Sequence, residues 1–186
     1  MEAILPTRPF TIEEYHAMGV AGILKPDERI ELLDGEILTM PPIGAPHTGI
    51  VNRLTHVLSA RFGARAVVQV QGPVQLSADS EPEPDVALLR PRDDYYAARH
   101  ATPADVFALI EVADASLEYD RGRKLGAYAR RGIAEYWIVD VRARKVTVYR
   151  EPHGLGYGDE RVVAAGGTVA FVAFPDDVLA IEVLTG

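Results

Sequence analysis

Hydrophobic and polar positions in the first third of the chain predict two helices with a hairpin between them. Thr11 and Glu14 have the spacing of a capping box, which begins a short helix. Residues 31–38 carry strand-forming segments on either side of an Asp-Gly turn and predict a β-hairpin. Apolar residues recur every three to four positions over 48–62 and predict an amphipathic helix ended by a glycine. The segment before that helix predicts a loop, with Pro41, Pro42, Gly44 and Pro46.

The rest of the chain is richer in strand patterns. Residues 106–112 are apolar on both faces, as expected of a central strand. A helix is predicted from Leu117 or Asp120 to Arg131, and Gly132 ends it in a left-handed conformation. The remaining predicted elements are strands at 66–76 (bent at Gly72-Pro73), 86–89, 136–139 and 146–149, a helical turn at 95–99, and short β segments in the glycine-containing tail.

The order of these elements predicts an α/β (α+β) fold. From residue 48 onward a helix, three strands, a helix and a strand follow one another, which implies a mixed central sheet flanked by helices. The N-terminal hairpin and the C-terminal β segments are additions to this core. A chain of 186 residues is long enough for one domain with a substantial core and too short for two ordinary ones. We therefore expect a single domain over residues 1–186.

Composition excludes several classes of protein. The chain has no cysteine, so disulfides, zinc–thiolate sites and thiol nucleophiles are excluded. Residues 1–10 lack the basic start and apolar segment of a signal peptide, and no run reaches the roughly 20 apolar residues of a membrane helix. We expect a cytoplasmic protein with no membrane contact. The net charge of −8 argues against a general nucleic-acid coat protein.

The charge is unevenly distributed, because residues 119–145 contain eight basic and three acidic side chains. One interpretation is a positive face that holds phosphates. The other is a solvated helix followed by a polar edge strand, and charge alone favours it. Lysine is scarce elsewhere, so Lys124 is not one of many surface lysines.

Candidate chemistry lies where carboxylates interrupt apolar runs. Asp85 opens one predicted strand and Glu111 lies near the end of another, and a buried carboxylate requires compensation of its charge. A divalent cation bound by Asp85 and Glu111 meets this requirement, and the Val112 carbonyl can add a ligand. Lys124 can then orient a water molecule or stabilise developing charge. The alternative is structural: Asp85 only begins its strand, and Glu111 forms a buried salt bridge with Lys124.

Five short motifs are spread over nearly the whole chain: Arg29-Ile-Glu-Leu-Leu-Asp-Gly-Glu36, Glu83-Pro-Asp-Val86, Ile110-Glu-Val112, Asp120-Arg-Gly-Arg-Lys124 with Tyr128, and Gly132-Ile-Ala-Glu-Tyr-Trp-Ile-Val-Asp140. Together they resemble the Uma-type family of restriction endonuclease-like proteins, within the PD-(D/E)XK nuclease superfamily. The resemblance implies a restriction-endonuclease-like αβββαβ core, which agrees with the order of elements above.

The resemblance also implies roles for individual residues. Asp85 matches the metal-binding aspartate of the superfamily and Glu111 its second acid. Ala113 stands where the superfamily pattern has lysine, and Lys124 is similar to a lysine relocated to the following helix. Glu31 resembles an additional upstream carboxylate of the family, although a charge at a strand edge explains it equally well.

Three further residues are candidates for supporting roles around the site. His47 lies where the family often has a histidine before its first helix, although a hydrogen bond at a helix start is the commoner role. Asp120 either caps its helix or pairs with Lys124 four residues on. Gln69 and Gln71 alternate along one strand and can point into the site, but a half-exposed strand is the better explanation.

The leading hypothesis is a Mg²⁺- or Mn²⁺-dependent DNA endonuclease of unknown sequence specificity, with Asp85, Glu111, Lys124 and Glu31 as catalytic residues. The alternative is a catalytically inactive nuclease-fold protein with a binding role. A third possibility is hydrolysis of another phosphoester. Enzymes that cut duplex DNA commonly act as symmetric pairs, so we also expect a homodimer or higher homo-oligomer, with residues 162–183 as the candidate contact.

Overall fold

The computed structural model describes residues 7–186 and begins with a capped helix and a hairpin. Thr11 accepts a hydrogen bond from the Glu14 backbone N–H and Glu14 returns one, so the predicted capping box is formed. In the hairpin turn Gly35 has a φ of +74°, and a Cβ there would lie 2.1 Å from Cβ of Pro9. This turn therefore requires glycine. The elements are α1 (Ile12–Val20), β1 (Ile30–Leu33) and β2 (Glu36–Thr39).

A long helix and three strands follow. The second helix begins at Ala45, earlier than predicted, because Pro46 lies in its first turn, where proline needs no backbone donor. The prediction that Pro46 belongs to a loop is wrong. Gly63 ends the helix with a φ of +51°, as predicted. These elements are α2 (Ala45–Phe62), β3 (Val67–Val70), β4 (Val86–Leu89) and β5 (Val106–Ala113), with 3₁₀ turns at Gly63–Arg65 and Pro103–Asp105.

The next helix contains a π-helical segment. Its axis continues through the segment, and Asp120, Lys124 and Tyr128 recur every four residues on its buried face. Gly132 follows with a φ of +71°, as predicted. The helix comprises α3 (Leu117–Tyr119), the π segment (Asp120–Lys124) and α4 (Leu125–Arg130); then come β6 (Glu135–Asp140), β7 (Lys145–His153), β8 (Gly156–Val163), β9 (Thr168–Val169), β10 (Leu179–Ala180) and α5 (Ile181–Thr185).

Six strands form the central sheet in the order β3-β4-β5-β6-β7-β8. The β5–β6 pair is parallel and the other pairs are antiparallel, which confirms the mixed sheet. Helix α2 packs on one face, against side chains such as Val86 and Ile110. The α3–α4 helix packs on the other face, where Tyr128 meets Tyr136. Because side chains alternate along a strand, Glu111 lies on the α3–α4 face.

Three predicted elements are wrong. The strand does not continue through residues 74–76, because the Val74 backbone N–H bonds instead to Pro82. The predicted helical turn at 95–99 is an irregular loop, since Tyr95 and Tyr96 have φ values of +48° and +66°. The tail is not only short β segments: β8 is a full edge strand and the chain ends in α5. Within residues 7–186, no helix is long and apolar enough to cross a bilayer.

Candidate active site

Asp85 and Glu111 lie side by side at one end of the sheet. Val86 pairs with Ile110 in the antiparallel register of β4 and β5, so the preceding and following residues also face each other. The Asp85 backbone N–H is 3.4 Å from Glu111 Oε2, and the Val112 N–H donates to Asp85 Oδ2 at 2.9 Å. The two carboxylates are therefore close, as the strand patterns predicted.

Lys124 joins two of the predicted carboxylates. Its Nζ donates to Glu111 Oε1 at 2.9 Å and lies 3.3 Å from Glu31 Oε2. Burial alone would lower the pKa of Lys124, but Glu111 and Glu31 raise it well above its ordinary value. Burial raises the pKa of Glu111, and the charge of Lys124 opposes that rise. A charged lysine is thus fixed between two acids inside the protein.

Two tyrosines that the sequence reasoning did not assign complete this arrangement. The Tyr128 hydroxyl donates to Glu111 Oε1 at 2.8 Å, and the Tyr119 hydroxyl donates to Glu31 Oε1. Burial and the adjacent carboxylates raise the pKa of both tyrosines, so both stay protonated donors. The four-residue spacing of Lys124 and Tyr128 is the signal that places them on one helix face.

His47 and Gln71 support Asp85 from two sides. His47 Nε2 lies 3.0 Å from Asp85 Oδ2, and Gln71 Nε2 donates to Asp85 Oδ1 at 3.3 Å. Burial would raise the pKa of Asp85, but His47 and the Val112 N–H lower it below its usual range. Asp85 is therefore held as an ionised carboxylate. Gln69 instead donates to the Pro73 carbonyl and does not line the site.

Asp120 is buried in the same region. The charge of Lys124 acts on it, although the two side chains form no ion pair. Its Oδ2 accepts a hydrogen bond from Ser116 at 2.6 Å. Burial raises the pKa of Asp120 to about 6, and Lys124 opposes the shift. Asp120 does not act as a helix cap through its side chain, because its helix begins earlier, at Leu117.

These side chains open into a cavity of about 700 Å³. Its walls come from the end of α1, the loop at 24–29, the loop at 40–44 and the end of the central sheet. The lining contains eight carboxylate residues but three lysines or arginines, so negative charge is in excess. The predicted residues that line it are Glu31, His47, Gln71, Asp85, Glu111, Asp120 and Lys124.

The donor set fits a hard cation, although it is sparse. Asp85 Oδ1 and Glu111 Oε2 each carry a single long hydrogen bond, of 3.3 and 3.4 Å, which leaves lone pairs available. Across residues 7–186, no group of three or more histidine, aspartate or glutamate side chains converges to hold a metal ion. Mg²⁺ commonly uses one or two carboxylates and keeps several waters, so two protein ligands are compatible with it.

Comparisons with known proteins identify the fold and the family of the chain. A crystal structure from Anabaena variabilis ATCC 29413, described as a putative nuclease belonging to DUF820, has the same fold, with a TM-score of 0.75 and 17% sequence identity. The match covers 95% of this chain and 98% of that chain. No curated protein has a significantly similar sequence. The sequence profile of the Uma2 family, described as "Putative restriction endonuclease", matches residues 12–182, and this chain therefore belongs to that family.

Proposed function

We propose that this protein is a Mg²⁺- or Mn²⁺-dependent endonuclease that hydrolyses phosphodiester bonds of DNA in the cytoplasm. The observation that carries the proposal is the juxtaposition of Asp85 and Glu111 on opposed strand positions, with Lys124 Nζ 2.9 Å from Glu111. Membership of the Uma2 family supports it. A lysine beside two carboxylates, in a cavity rich in acids, is suited to hydrolysis assisted by a cation.

The chain's own residues have distinct roles in this proposal. Asp85 and Glu111 would hold the cation, since each has a carboxylate oxygen that carries only one long hydrogen bond. When bound, the cation neutralises the phosphate charge and lowers the pKa of a water molecule. Lys124 keeps a fixed positive charge beside Glu111, where it stabilises negative charge that develops on the phosphate. His47 fixes the orientation of Asp85.

One observation favours a second candidate, a nuclease-fold protein that binds a partner without catalysis. Lys124 is buried and already engaged by both Glu111 and Glu31, an arrangement that a structural ion pair also explains. In that case the cavity has no catalytic role, and a divalent cation changes neither the stability nor the activity of the protein.

Plasmid nicking with Mg²⁺ or Mn²⁺ separates the two candidates. We expect wild type to nick the plasmid, and Asp85→Asn and Glu111→Gln to lose this activity together with stabilisation by the cation. Asp159→Asn, an exposed carboxylate in β8, is the matched control and retains both. If wild type neither nicks DNA nor is stabilised by Mg²⁺ or Mn²⁺, the second candidate, an inactive nuclease-fold protein, is correct.

We also propose that the protein acts as a homodimer or higher homo-oligomer. Exposed apolar side chains lie in the predicted contact region, at Val162, Val172, Val178 and Val183. A two-fold assembly matches the two strands of a DNA duplex. Analytical ultracentrifugation at micromolar concentration tests this, and a sedimentation profile of monomer alone contradicts it.

A further inference from the structure

Apart from Lys124 in the candidate site, the basic residues between 121 and 145 divide into two groups in the structure. One group is neutralised by the N-terminal hairpin and its neighbouring loop, which places an acid opposite each side chain. Each acid offsets the positive charge of its arginine locally, so this group attracts a polyanion less than unpaired cations do. They are Arg123 with Glu36 at 2.8 Å, Arg130 with Asp34 at 2.6 Å, and Arg131 with Asp79 at 3.4 Å.

The second group forms what we call the basic turn, defined by Arg142, Arg144 and Lys145 between β6 and β7. Within the described part of the chain, Arg144 and Lys145 form no salt bridge, and Arg142 is 76% exposed in its pair with Asp114. Arg121 adds a fourth charge from the π-helical segment, where its guanidinium lies 3.5 Å from the hydroxyl of Thr147 in β7, two residues beyond Lys145. Three basic residues therefore lie within four positions of this turn, with Arg142 and Arg144 exposed and Lys145 half-buried.

The basic turn adjoins the cavity of the candidate site. Strand β6 runs parallel to β5, so it ends at the same edge of the sheet as Glu111. The Val141 N–H donates to the Ala113 carbonyl at 3.0 Å, and Arg142 binds Asp114, which lines the cavity. A phosphate chain that leaves the cavity on this side meets the basic turn directly.

The lining of the cavity itself carries an excess of negative charge. It includes Asp27 and Glu28 from the loop after α1, and Glu83 from the segment before β4. A polyanion gains no electrostatic attraction from this lining, whereas the exposed cations of the basic turn attract it.

The backbone of the basic turn provides an independent observation. Arg144 has a φ of +48°, in the left-handed region that glycine occupies with little strain and other residues rarely adopt. Five other non-glycine residues of the described chain also have a positive φ, so this conformation does not by itself assign a role to the side chain. It does provide a test, because glycine at position 144 suits the backbone while it removes the guanidinium group.

We propose that the basic turn binds the phosphate backbone of duplex DNA and guides it into the cavity. This inference rests on the proposed function, since it names the surface through which that site receives its substrate. Arg144 and Lys145 contact phosphates directly, and Arg142 and Arg121 extend the track along the turn. Arg123, Arg130 and Arg131, which pair with the hairpin and its neighbouring loop, do not contact the DNA.

Filter binding of a DNA duplex over a range of KCl concentrations in Ca²⁺ tests the proposal. The variant Arg144→Gly/Lys145→Gln should bind about tenfold more weakly, and its salt slope should fall by about two, one for each lost phosphate contact. The control Arg123→Gln/Arg131→Gln changes the net charge equally and should bind like wild type. Equal weakening in both variants, or none in the first, overturns the proposal.

Stability separates a binding defect from a folding defect. Arg144→Gly removes the left-handed strain, so this single variant should melt at a temperature equal to or above that of wild type while it binds DNA more weakly. If Arg144→Gly lowers the melting temperature and weakens DNA binding to a matching extent, Arg144 has a structural role and the inference is overturned.

Hydrolysis of bis(p-nitrophenyl) phosphate with Mn²⁺ distinguishes this inference from the proposed function. The small diester needs the cavity but not the turn, so the double variant should hydrolyse it like wild type. If wild type binds DNA through the turn but hydrolyses neither DNA nor the small diester, the endonuclease proposal fails. The inference that the turn binds DNA is then still supported. If wild type hydrolyses the diester but binds no DNA, the inference about the turn fails alone.

Discussion

Two buried glutamates on neighbouring central strands differ in how their charge is compensated. Glu135 in β6 is fully buried, and its Oε1 accepts hydrogen bonds from Arg150 at 2.7 and 2.9 Å and from Trp137 at 2.9 Å. Its Oε2 accepts the Val172 backbone N–H at 2.7 Å. One acid and one guanidinium are matched, and both Glu135 oxygens have hydrogen-bond partners.

Glu111 in β5 lies in the opposite situation. It shares Lys124 with Glu31, and Asp85 and Asp120 are buried in the same region. Four buried carboxylates and one buried lysine thus line an open cavity, and only Glu31 and Glu111 pair with the lysine. Burial of a charged group is common to both clusters, so it does not by itself indicate function. The excess of uncompensated acid facing solvent-accessible space is what distinguishes the candidate site.

The largest expected effect lies in the matched cluster. Arg150→Met leaves Glu135 buried without its charged partner, which should lower the free energy of unfolding by about 3–5 kcal/mol. Urea unfolding measures it. Arg130→Met breaks the half-exposed pair with Asp34 and should cost less than about 1 kcal/mol. Similar losses in the two variants would mean that the Glu135 cluster is not a matched buried pair.

The next effect concerns catalysis at the unmatched cluster. Lys124→Gln keeps a donor for Glu111 but removes the positive charge, so plasmid cleavage should fall by about 10²–10³-fold. Stabilisation by Mn²⁺ should persist, because the lysine is assigned to the developing charge and not to the cation. Full cleavage by a folded Lys124→Gln protein would remove the lysine from the proposed mechanism.

A divalent cation should stabilise the unmatched cluster by mass action. At 100 times its Kd, Mn²⁺ should raise the free energy of unfolding by about 2.7 kcal/mol. Glu111→Gln should lose this increment, whereas Arg130→Met, outside the cavity, should keep it. The measurement is a thermal melt followed by circular dichroism with and without Mn²⁺. Identical shifts in wild type and Glu111→Gln would show that the cation binds elsewhere.

The smallest effect is a pH dependence at Asp120. Burial raises the pKa of Asp120 to about 6, above the ordinary value of an unfolded chain, so the folded protein binds this proton more tightly. The contribution of Asp120 to stability is therefore lost as the pH rises toward 6. Asp120→Asn should exceed wild type by about 1–2 kcal/mol at pH 8, since one pKa unit is about 1.4 kcal/mol, and the gain should vanish near pH 4. A gain in stability that does not depend on pH would show that the raised pKa of Asp120 is not its cause.

The sequence predicted what depends on local or periodic patterns. The hairpin, α2 and the mixed sheet follow from an Asp-Gly turn and from apolar periodicity, and they are confirmed. Asp85 and Glu111 were placed on neighbouring strands because each interrupts an apolar run, and the register brings them together. Their catalytic roles stay a prediction.

What the sequence did not predict depends on distant partners. Glu135 carries no local sign that Arg150 and the Val172 backbone will satisfy it, because both reach it through the sheet and the tail. Residues 74–76 have a strand pattern but pair with a loop. The basic stretch divided into two groups only once the hairpin supplied acids to one of them.

The closed Glu135 cluster also gives the protein an intrinsic optical reporter. Trp137 is the single tryptophan of the chain, and its indole lies fully buried and stacked on Phe171, with 4.0 Å between ring centroids. Its N–H is fixed by Glu135. Intrinsic fluorescence therefore reports the integrity of the contact between β6 and the C-terminal segment. An emission shift on unfolding can be recorded without a label, and it comes from one known position in the core.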